Sequence, residues 1–411
     1  MTSTAQKRPI NPVSQENLLN PIPLYRELRE NDPVHWSDAL NAWLITRHDD
    51  VTSCYRDPRL SADRMKFFEY QLRGLGEGVA KEYLESARLH ITMKDGADHL
   101  RIRRRANSGF TPQMIDSWLP AIRQLTERMV ERVRQRGHMD LVADISYQLP
   151  PLVIAEVLGI PAEDHERLLR WSTASARFAS PTVGTDMALL AREANDAVIA
   201  FNTYLGALLE QRRQRPGNDV LSRMLHVQEE GTMTPEELVA NCLVLLAAGH
   251  ITTTDQLSNG FHDLLTHPDQ LRKLQKDPSL MGSAVEEMMR FSPAVCVGMR
   301  VATESFALRG RTLQQGQVVL LVMSAANRDP ELFTDPDRFD ITRDATRSRH
   351  LTFGFGPHHC LGASLARKEL EIAFRVILER LPGLRLDEAH PPQLKWHNLM
   401  FRGFESLHLR W

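Results

Sequence analysis

The fold is decided by one stretch, Leu351-Thr-Phe-Gly-Phe-Gly-Pro-His-His-Cys-Leu-Gly-Ala-Ser-Leu-Ala-Arg367, which delivers a cysteine to the start of a helix. Two glycines and Pro357 disfavour a regular element before Cys360. From Ala363 onward, apolar residues recur every three or four positions, which predicts an amphipathic helix. The unpaired N–H groups and the dipole of a helix N-terminus favour an anion, so they stabilise the Cys360 thiolate as a ligand or a nucleophile.

The residue types alone leave several roles open for Cys360. A lone cysteine is most often a small buried apolar residue. A zinc site built from His358, His359 and Cys360 would need consecutive side chains to converge on one metal, and no C-x-x-C pair completes a tetrahedron. A cysteine hydrolase would need a base, which the sequence does not identify. A cysteine thiolate is also one of the axial ligands of haem iron.

Composition and charge limit the classes of function. The 411 residues have a formal net charge of −2, from 50 basic and 52 acidic side chains, which does not suggest a general nucleic-acid binder. The hydrophobic fraction of 42% supplies ample material for a core. Four scattered cysteines favour a reducing cytoplasm over disulfides, and neither a signal segment nor a membrane span is expected. Without a linker or a repeat, residues 1–411 are expected to form one domain.

A second informative stretch is a long helix that begins at Thr234-Pro-Glu-Glu237, where a Thr cap, a Pro and a Glu form a strong start signal. It can continue to about Leu265, roughly 30 residues and ~45 Å. In its middle, Ala248 and Gly249 remove side-chain bulk, so a flat group could lie against the backbone. The hydroxyl of Thr252 can bond a preceding carbonyl and loosen the helix. A notch for packing another helix explains the same small residues.

Two charged patterns have ordinary explanations as well as functional ones. His99 and Arg103, four residues apart, share one helical face and could hold one anion, although a solvated basic face is the commoner explanation of this spacing. Glu287 and Arg290 form a helix pair worth about 0.2 to 0.5 kcal/mol if exposed.

The stretch around Cys360 resembles the haem-binding signature of the cytochrome P450 family, F-G-x-G-x-H-x-C-x-G-x-x-L-A-R. The matching positions are Phe353, Gly354, Gly356, His358, Cys360, Gly362, Leu365, Ala366 and Arg367. The resemblance implies that haem b is the cofactor and that Cys360 is its proximal iron ligand. It also implies that Phe353 packs near the sulfur, that His358 reaches a propionate and that Gly362 lets the haem approach.

Further motifs resemble the same family in the same order. The H-x-x-x-R segment of His99 and Arg103 precedes F-T-P, as in the helix that binds the haem propionates, and Arg300 matches a third propionate partner. The segment around Ala248 and Gly249 is similar to the oxygen-binding motif A-G-x-[D/E]-T-[T/S], which implies a proton-relay hydroxyl at Thr252. The E-x-x-R pair, Glu287 and Arg290, implies a buried network with Arg338 that supports the cysteine loop.

One position departs from the family pattern, because Ile251 occupies the place of the acidic residue. Isoleucine can neither donate nor accept a proton. We expect either that His250, substrate groups and ordered water replace this relay, or that the reaction depends less on proton delivery. Residues 174–190 are expected to supply lid helices, while residues 294–299 and 399–401 are expected to line the substrate pocket.

The resemblance implies a mainly α fold with small β-sheets, an α+β cytochrome P450 fold with haem between the long central helix and the helix after Cys360. The implied activity is a monooxygenase that hydroxylates a small hydrophobic molecule, free or bound to a carrier protein, in bacterial natural-product biosynthesis. The implied partners are a ferredoxin and its NAD(P)H-dependent reductase. A peroxide-dependent enzyme, an oxidative-coupling enzyme and a haem-binding sensor with little turnover are the alternatives.

Overall fold

A computed structural model describes residues 10–72, 74–75, 78–179, 185–226, 233–344 and 349–411. Its helices are α1 Gln15–Leu19, α2 Ile22–Asn31, α3 His48–Arg56, α4 Met65–Gln71, α5 Lys81–Leu89, α6 Gly96–Ser108, α7 Pro112–Arg134, α8 Leu149–Leu158, α9 His165–Ala179, α10 Met187–Gln214, α11 Val220–His226, α12 Pro235–Thr266, α13 Pro268–Lys276, α14 Met281–Phe291, α15 Met323–Ala326 and α16 Ala363–Arg380. The strands are β1 Val34–Ser37, β2 Ala42–Ile45, β3 Leu60–Ser61, β4 His138–Asp140, β5 Val297–Ala302, β6 Phe306–Leu308, β7 Arg311–Leu313, β8 Val318–Val322, β9 Arg385–Leu386, β10 Gln393–Leu394, β11 Phe404–Ser406 and β12 His408–Arg410.

The long central helix predicted from the sequence is α12, which has 32 residues. Its start is the predicted capping box, in which the Thr234 side chain accepts from the Glu237 N–H and the Glu237 carboxylate accepts from the Thr234 N–H. Among the described residues, α12 is the one helix long and apolar enough to cross a membrane. However, 56% of its most apolar 18-residue stretch is buried inside the protein. Such burial is typical of a core helix.

The main sheet has five strands in the order β1-β2-β8-β5-β3. Strand β2 is parallel to β8, and the other neighbours are antiparallel. The pairing of β3 with β5 sets Ser61 opposite Val301 and so brings the segment after β3 close to Arg300. Smaller sheets are formed by β4-β12-β9, β6-β7 and β10-β11. The predicted combination of many helices with small sheets is confirmed.

The largest buried core joins helices α7, α8, α10, α12, α14 and α16. The helix after the cysteine, α16, contributes its buried face to this core, and its Phe374 ring lies 4.5 Å from Phe261 of α12. The two elements expected to border the cofactor therefore pack directly on each other. The expected lid corresponds to the end of α9 and the start of α10; residues 180–184 of that prediction lie outside the described part of the chain.

Candidate active site

The cysteine loop approaches α16 through a chain reversal that needs glycine. Gly354 and Gly356 have φ of 68° and 71°, in the left-handed region that favours glycine. A Cβ on Gly356 would also stand 3.0 Å from the carbonyl oxygen of Tyr55 in α3. The backbone N–H of Cys360 donates to the Phe353 carbonyl at 2.9 Å, which closes the loop. Cys360 thus lies three residues before α16, as predicted.

The Cys360 side chain is exposed, unlike the buried Cys54, Cys242 and Cys296. It lies in a recess, where burial by surrounding atoms raises the pKa of its thiol. The N–H of Gly362 and the charge of Arg103 act in the opposite direction and lower that pKa. The helix terminus therefore favours the thiolate as expected, but burial is the larger effect. Binding of a metal cation would reverse the balance, since a metal deprotonates a coordinating thiol.

Imidazole and guanidinium groups gather beside this recess. The rings of His99 and His358 lie 4.0 Å apart, and His358 Nε2 is 3.4 Å from a carboxylate oxygen of Asp95. His99 is 2% exposed and its Nε2 is a buried atom without a hydrogen-bond partner. Burial and the charges of His358 and Arg103 lower the pKa of His99 to about 4.

The two arginines expected at this site have few partners of their own. Arg300 is 7% exposed, lies over the Tyr55 ring at 5.0 Å and donates to the Met299 carbonyl at 2.8 Å. Arg103 donates from Nε to the Asn107 side chain at 3.0 Å. Within the described residues neither arginine has a carboxylate at ion-pair distance. Burial lowers the pKa of both guanidinium groups, as expected for cations without an adjacent anion.

These residues fit haem b, which carries two carboxylates on one edge. The nearby cations outnumber the single carboxylate of Asp95, and the His99 Nε2 atom needs a partner. A Cβ on Gly362 would meet no atom within 4 Å, so the backbone beside Cys360 is open to a flat group. Haem b would therefore be held by the Cys360 thiolate and, at its propionates, by His99, Arg103, Arg300 and His358.

One face of α12 remains accessible in the middle of the core. Ala248 is exposed, and Val244, Leu245, Ile251 and Thr252 are partly exposed, whereas the opposite side of the helix is buried. Positions spaced by three, four and seven residues share a face, so these side chains border one space. The Thr252 hydroxyl, the one polar group among these five, donates to the Ala248 carbonyl at 2.6 Å.

The structure gives His250 a different role from the expected proton relay. His250 is fully buried; its Nε2 lies 3.0 Å from the Tyr147 carbonyl and its Nδ1 lies 2.8 Å from the Ser172 hydroxyl. Because a carbonyl can only accept, Nε2 carries the hydrogen and Nδ1 accepts from Ser172. Burial lowers the pKa of His250 to about 4, so the ring is neutral at pH 7. With Nδ1 bonded to Ser172 and Nε2 to Tyr147, His250 joins α12 to α9 and lies on the buried side of the helix, away from the accessible face.

Gly249 also serves packing rather than the accessible face. A Cβ on Gly249 would stand 2.9 Å from both Cγ1 and Cδ1 of Ile154 in α8. Its lack of a side chain therefore allows α8 to approach α12, which is the helix-packing notch that the sequence left open. Ala248, one residue earlier, is the small residue that faces the accessible space.

The bond between Ser172 and His250 yields a prediction about α9. We expect Ser172→Ala to lower the free energy of unfolding by about 1 to 3 kcal/mol, because it leaves Nδ1 of His250 buried without a donor. Amide hydrogen exchange in α9 should accelerate. Thr173→Val is the matched control, because it removes the half-buried contact with the Tyr147 hydroxyl and leaves His250 paired. Unchanged exchange in α9 after Ser172→Ala would show that the bond does not hold this helix.

The E-x-x-R pair is buried as expected, but its third member differs from the prediction. Arg290 donates from Nε and Nη2 to the Glu287 carboxylate at 2.7 and 2.8 Å, and both side chains are at most 1% exposed. The predicted third member was wrong: the Arg338 side chain is 61% exposed, 3.9 Å from Asp340, and only its carbonyl accepts from Arg290. Arg343 instead donates to Glu287 at 3.2 Å.

A second ion network was missed by the sequence analysis. Arg367 donates to both oxygens of Glu286 at 2.6 and 3.1 Å, and His350 Nε2 lies 3.1 Å from the same carboxylate. The Arg367 guanidinium also lies 4.5 Å over the Phe353 ring. This network fixes the start and end of the cysteine loop to α14. The sequence signal that could have revealed this network is Glu286, the acidic residue next to Glu287. Glu286 bonds to the cysteine loop, whereas Glu287 is buried against Arg290.

The two segments expected to line a substrate pocket are adjacent. The Cys296 N–H donates to the Met400 carbonyl at 2.8 Å, and the Arg402 N–H donates to the Ala294 carbonyl at 2.9 Å. Between these bonds Val295 and Phe401 form an isolated bridge, and both side chains are partly exposed. A continuous apolar wall results, which the sequence could name only as two separate segments.

Comparison with known proteins agrees with this geometry. The family model described as Cytochrome P450 matches residues 76–401. Cytochrome P450 CYP107DY1 of Priestia megaterium is 37% identical, over 96% of this chain and 97% of its own. The mycinamicin IV hydroxylase/epoxidase of Micromonospora griseorubida is 36% identical, over 94% of both chains. The solved structure of P450BioI in complex with hexadec-9Z-enoic acid ligated acyl carrier protein has a TM-score of 0.86 at 32% identity, covering 97% of this chain and 100% of that one.

Proposed function

We propose a substrate class and a role for each site residue, starting from the finding that this chain belongs to the cytochrome P450 family. The protein is a cytochrome P450 monooxygenase, and this family binds haem b through a cysteine thiolate. The proposed reaction inserts one atom of dioxygen into a hydrophobic small molecule, as an oxidative step of bacterial natural-product biosynthesis. Relatives named for hydroxylation and epoxidation of a macrolide and for polyketide biosynthesis support this role.

The observation that carries the proposal is the accessible face of α12. It presents one hydroxyl, from Thr252, within an otherwise apolar surface of Val244, Leu245, Ala248 and Ile251. An apolar surface favours a hydrophobic substrate and excludes bulk water from the reacting atoms. A single positioned hydroxyl provides a proton donor and acceptor at one point.

Each residue has a proposed task. Cys360 binds the haem iron, while His99, Arg103, Arg300 and His358 hold the propionates and so orient the ring. When bound, haem b supplies the redox-active iron at which dioxygen is activated. The Thr252 hydroxyl now donates its hydrogen to the Ala248 carbonyl, and rotation about the Cα–Cβ bond can redirect this donor toward a group bound on the accessible face.

Electron supply and substrate delivery belong to the same proposal. A ferredoxin and its NAD(P)H-dependent reductase would provide the electrons, as is general among bacterial members of the family. The hydrophobic substrate is either free or attached to a carrier protein. The acyl carrier protein bound to P450BioI supports the second form of delivery.

The apolar side chain of Ile251 favours two alternative functions. A reaction that uses hydrogen peroxide needs no partner proteins and does not require protons delivered to dioxygen through an acidic side chain. Oxidative coupling of aromatic groups is a second reaction of lower proton demand. Both use the same cysteine and the same propionate-binding residues. Turnover with hydrogen peroxide and without the electron-transfer partners identifies the peroxide reaction, and a product that joins two aromatic groups without gaining an oxygen atom identifies the coupling reaction.

The first test is a titration of the haem-loaded ferric protein, followed by its absorption spectrum, against macrolides, polyketides, terpenes, aromatic compounds and fatty acids free or bound to acyl carrier protein. We expect a saturable shift to the high-spin spectrum with one class, because ligand displaces the water on iron. That ligand should then be oxygenated with ferredoxin, reductase and NAD(P)H. Oxidation with hydrogen peroxide alone would support the alternative, and binding without turnover in either system would contradict an enzymatic role.

Proton delivery yields a prediction at Ile251. We expect Ile251→Glu to increase the yield of product per NAD(P)H several-fold. This gain is smaller than the ~100-fold rate increase that a well-positioned proton donor can contribute. The new carboxyl would lie on the face that carries Thr252. Ile251→Leu is the matched control, because it changes side-chain shape without adding a carboxyl. Equal yields in wild type, Ile251→Glu and Ile251→Leu would show that this position does not limit proton delivery.

A further inference from the structure

The segment between β3 and α4 carries a half-buried arginine, with a fully buried Nε atom, that none of the motifs of the site includes. Arg64 directly precedes α4, three residues after the Ser61 position that pairs with Val301 of β5. Its Nη2 donates to the Thr92 carbonyl at 3.2 Å and lies 3.7 Å from the sulfur of Met93. The arginine is therefore held between the sheet edge and the segment that leads into α6.

Arg64 lies next to the cations of the candidate site. Asp95 connects the two regions, because its carboxylate accepts from the backbone N–H of Ala62 and also lies 3.4 Å from His358 Nε2. Burial and, to a smaller extent, the positive charge of Arg300 lower the pKa of Arg64 to about 10. The pairing of β3 with β5 places the segment that carries Arg64 alongside the strand that carries Arg300.

The hydrogen bonds of Arg64 are incomplete. Its Nε is a buried atom without a partner, and it has no carboxylate at ion-pair distance within residues 10–72, 74–75, 78–179, 185–226, 233–344 and 349–411. Asp95 is near enough to influence its charge but is already engaged with Ser61, Ala62 and His358. A buried guanidinium is stable when a planar anion accepts its fork of N–H groups. An anion from outside the polypeptide would complete the hydrogen bonds of this guanidinium.

We propose that Arg64 is a carboxylate-binding residue of this enzyme. The carboxylate comes from one of two sources, a propionate of haem b that Arg64 would share with the other cations or the acid group of a substrate. The second source rests on the proposed function, whereas the first rests only on the cofactor. Either way Arg64 positions the bound molecule and takes no part in breaking or forming bonds.

The experiment compares Arg64→Met with Lys66→Met in the haem-loaded protein. Lys66 is exposed on the adjacent helix, so its substitution removes one cation without touching the buried group. Three quantities are measured: the rate of haem transfer to apomyoglobin, the dissociation constant of hexadecanoic acid and that of hexadecanol, both from the spin-state spectrum. Arg64→Lys tests whether charge alone restores binding; if Arg64→Met does not fold, Arg64→Gln takes its place.

We expect one of two results for Arg64→Met, each about tenfold, the size of a lost charge-assisted hydrogen bond. Faster haem transfer identifies a propionate as the carboxylate. Weaker binding of the acid, with unchanged binding of the alcohol and unchanged haem transfer, identifies a substrate acid. The proposal is overturned if all three quantities equal those of Lys66→Met and wild type. Failure of the proposed function would appear differently, as a lack of turnover in the wild-type protein.

Discussion

Replacement of Cys360 by serine is expected to reduce product formation by more than about 100-fold, beyond the 10- to 100-fold that changes around a metal ligand typically cause. The exposed sulfur lies just before the N-terminus of α16, and among the described residues no other group covers the backbone of Gly362 beside it. A serine hydroxyl stays protonated and donates far less electron density to iron than a thiolate. The absorption band of the reduced carbon monoxide complex should move away from the position characteristic of thiolate ligation.

A matched control for this substitution is Cys54→Ser. Cys54 is buried in the core beside the main sheet, and burial raises the pKa of its thiol to about 12, so it is a neutral packing residue. We expect Cys54→Ser to lower the free energy of unfolding while the absorption spectrum of any folded protein remains that of the wild type. A carbon monoxide spectrum unchanged by Cys360→Ser would refute the assignment of Cys360 as the iron ligand.

The second large effect is expected at Arg290. Substitution by methionine should lower the free energy of unfolding by about 3 to 5 kcal/mol, because it removes the two shortest charge-assisted bonds of the buried Glu287 carboxylate and leaves Arg343, at 3.2 Å, as its remaining cation. Arg290 neutralises Glu287 and also donates to the carbonyls of Asn327, Pro336 and Arg338, which lie 37 to 48 residues away in sequence. Its loss releases the segment before the cysteine loop from α14. Urea unfolding followed by circular dichroism and by haem absorbance measures the effect.

Arg338→Met is the informative control for Arg290→Met. The Arg338 side chain is mostly exposed and 3.9 Å from Asp340, so its loss should change the free energy of unfolding by less than about 0.5 kcal/mol. Arg343→Met should lie between the two, because Arg343 is 16% exposed and bonded to Glu287. If Arg338→Met destabilised the protein more than Arg343→Met, the third member of the network would be Arg338, as the family resemblance implied.

Local signals determined much of this architecture from sequence alone. The glycines and proline before Cys360 predicted a loop, and the apolar spacing after it predicted α16, because turn chemistry and helical periodicity depend on neighbouring residues. The start of α12 at Thr234 was equally readable, since a capping box involves only four residues. Cys360 and Thr252 could be named because they lie within such local patterns, and the resemblance to a family supplied their chemistry.

Contacts between distant segments decided the rest. Periodicity placed Gly249 and His250 on the central helix, but only the packing of α8 and α9 showed that Gly249 leaves room for Ile154 and that His250 bonds Ser172. Similarly, only the tertiary structure placed the Arg343 guanidinium beside Glu287 and the Arg64 guanidinium close to Arg300. The sequence by itself determined which elements form and where the cysteine stands. The tertiary structure decided which side chains meet, because a long flexible cation reaches partners that no sequence spacing specifies.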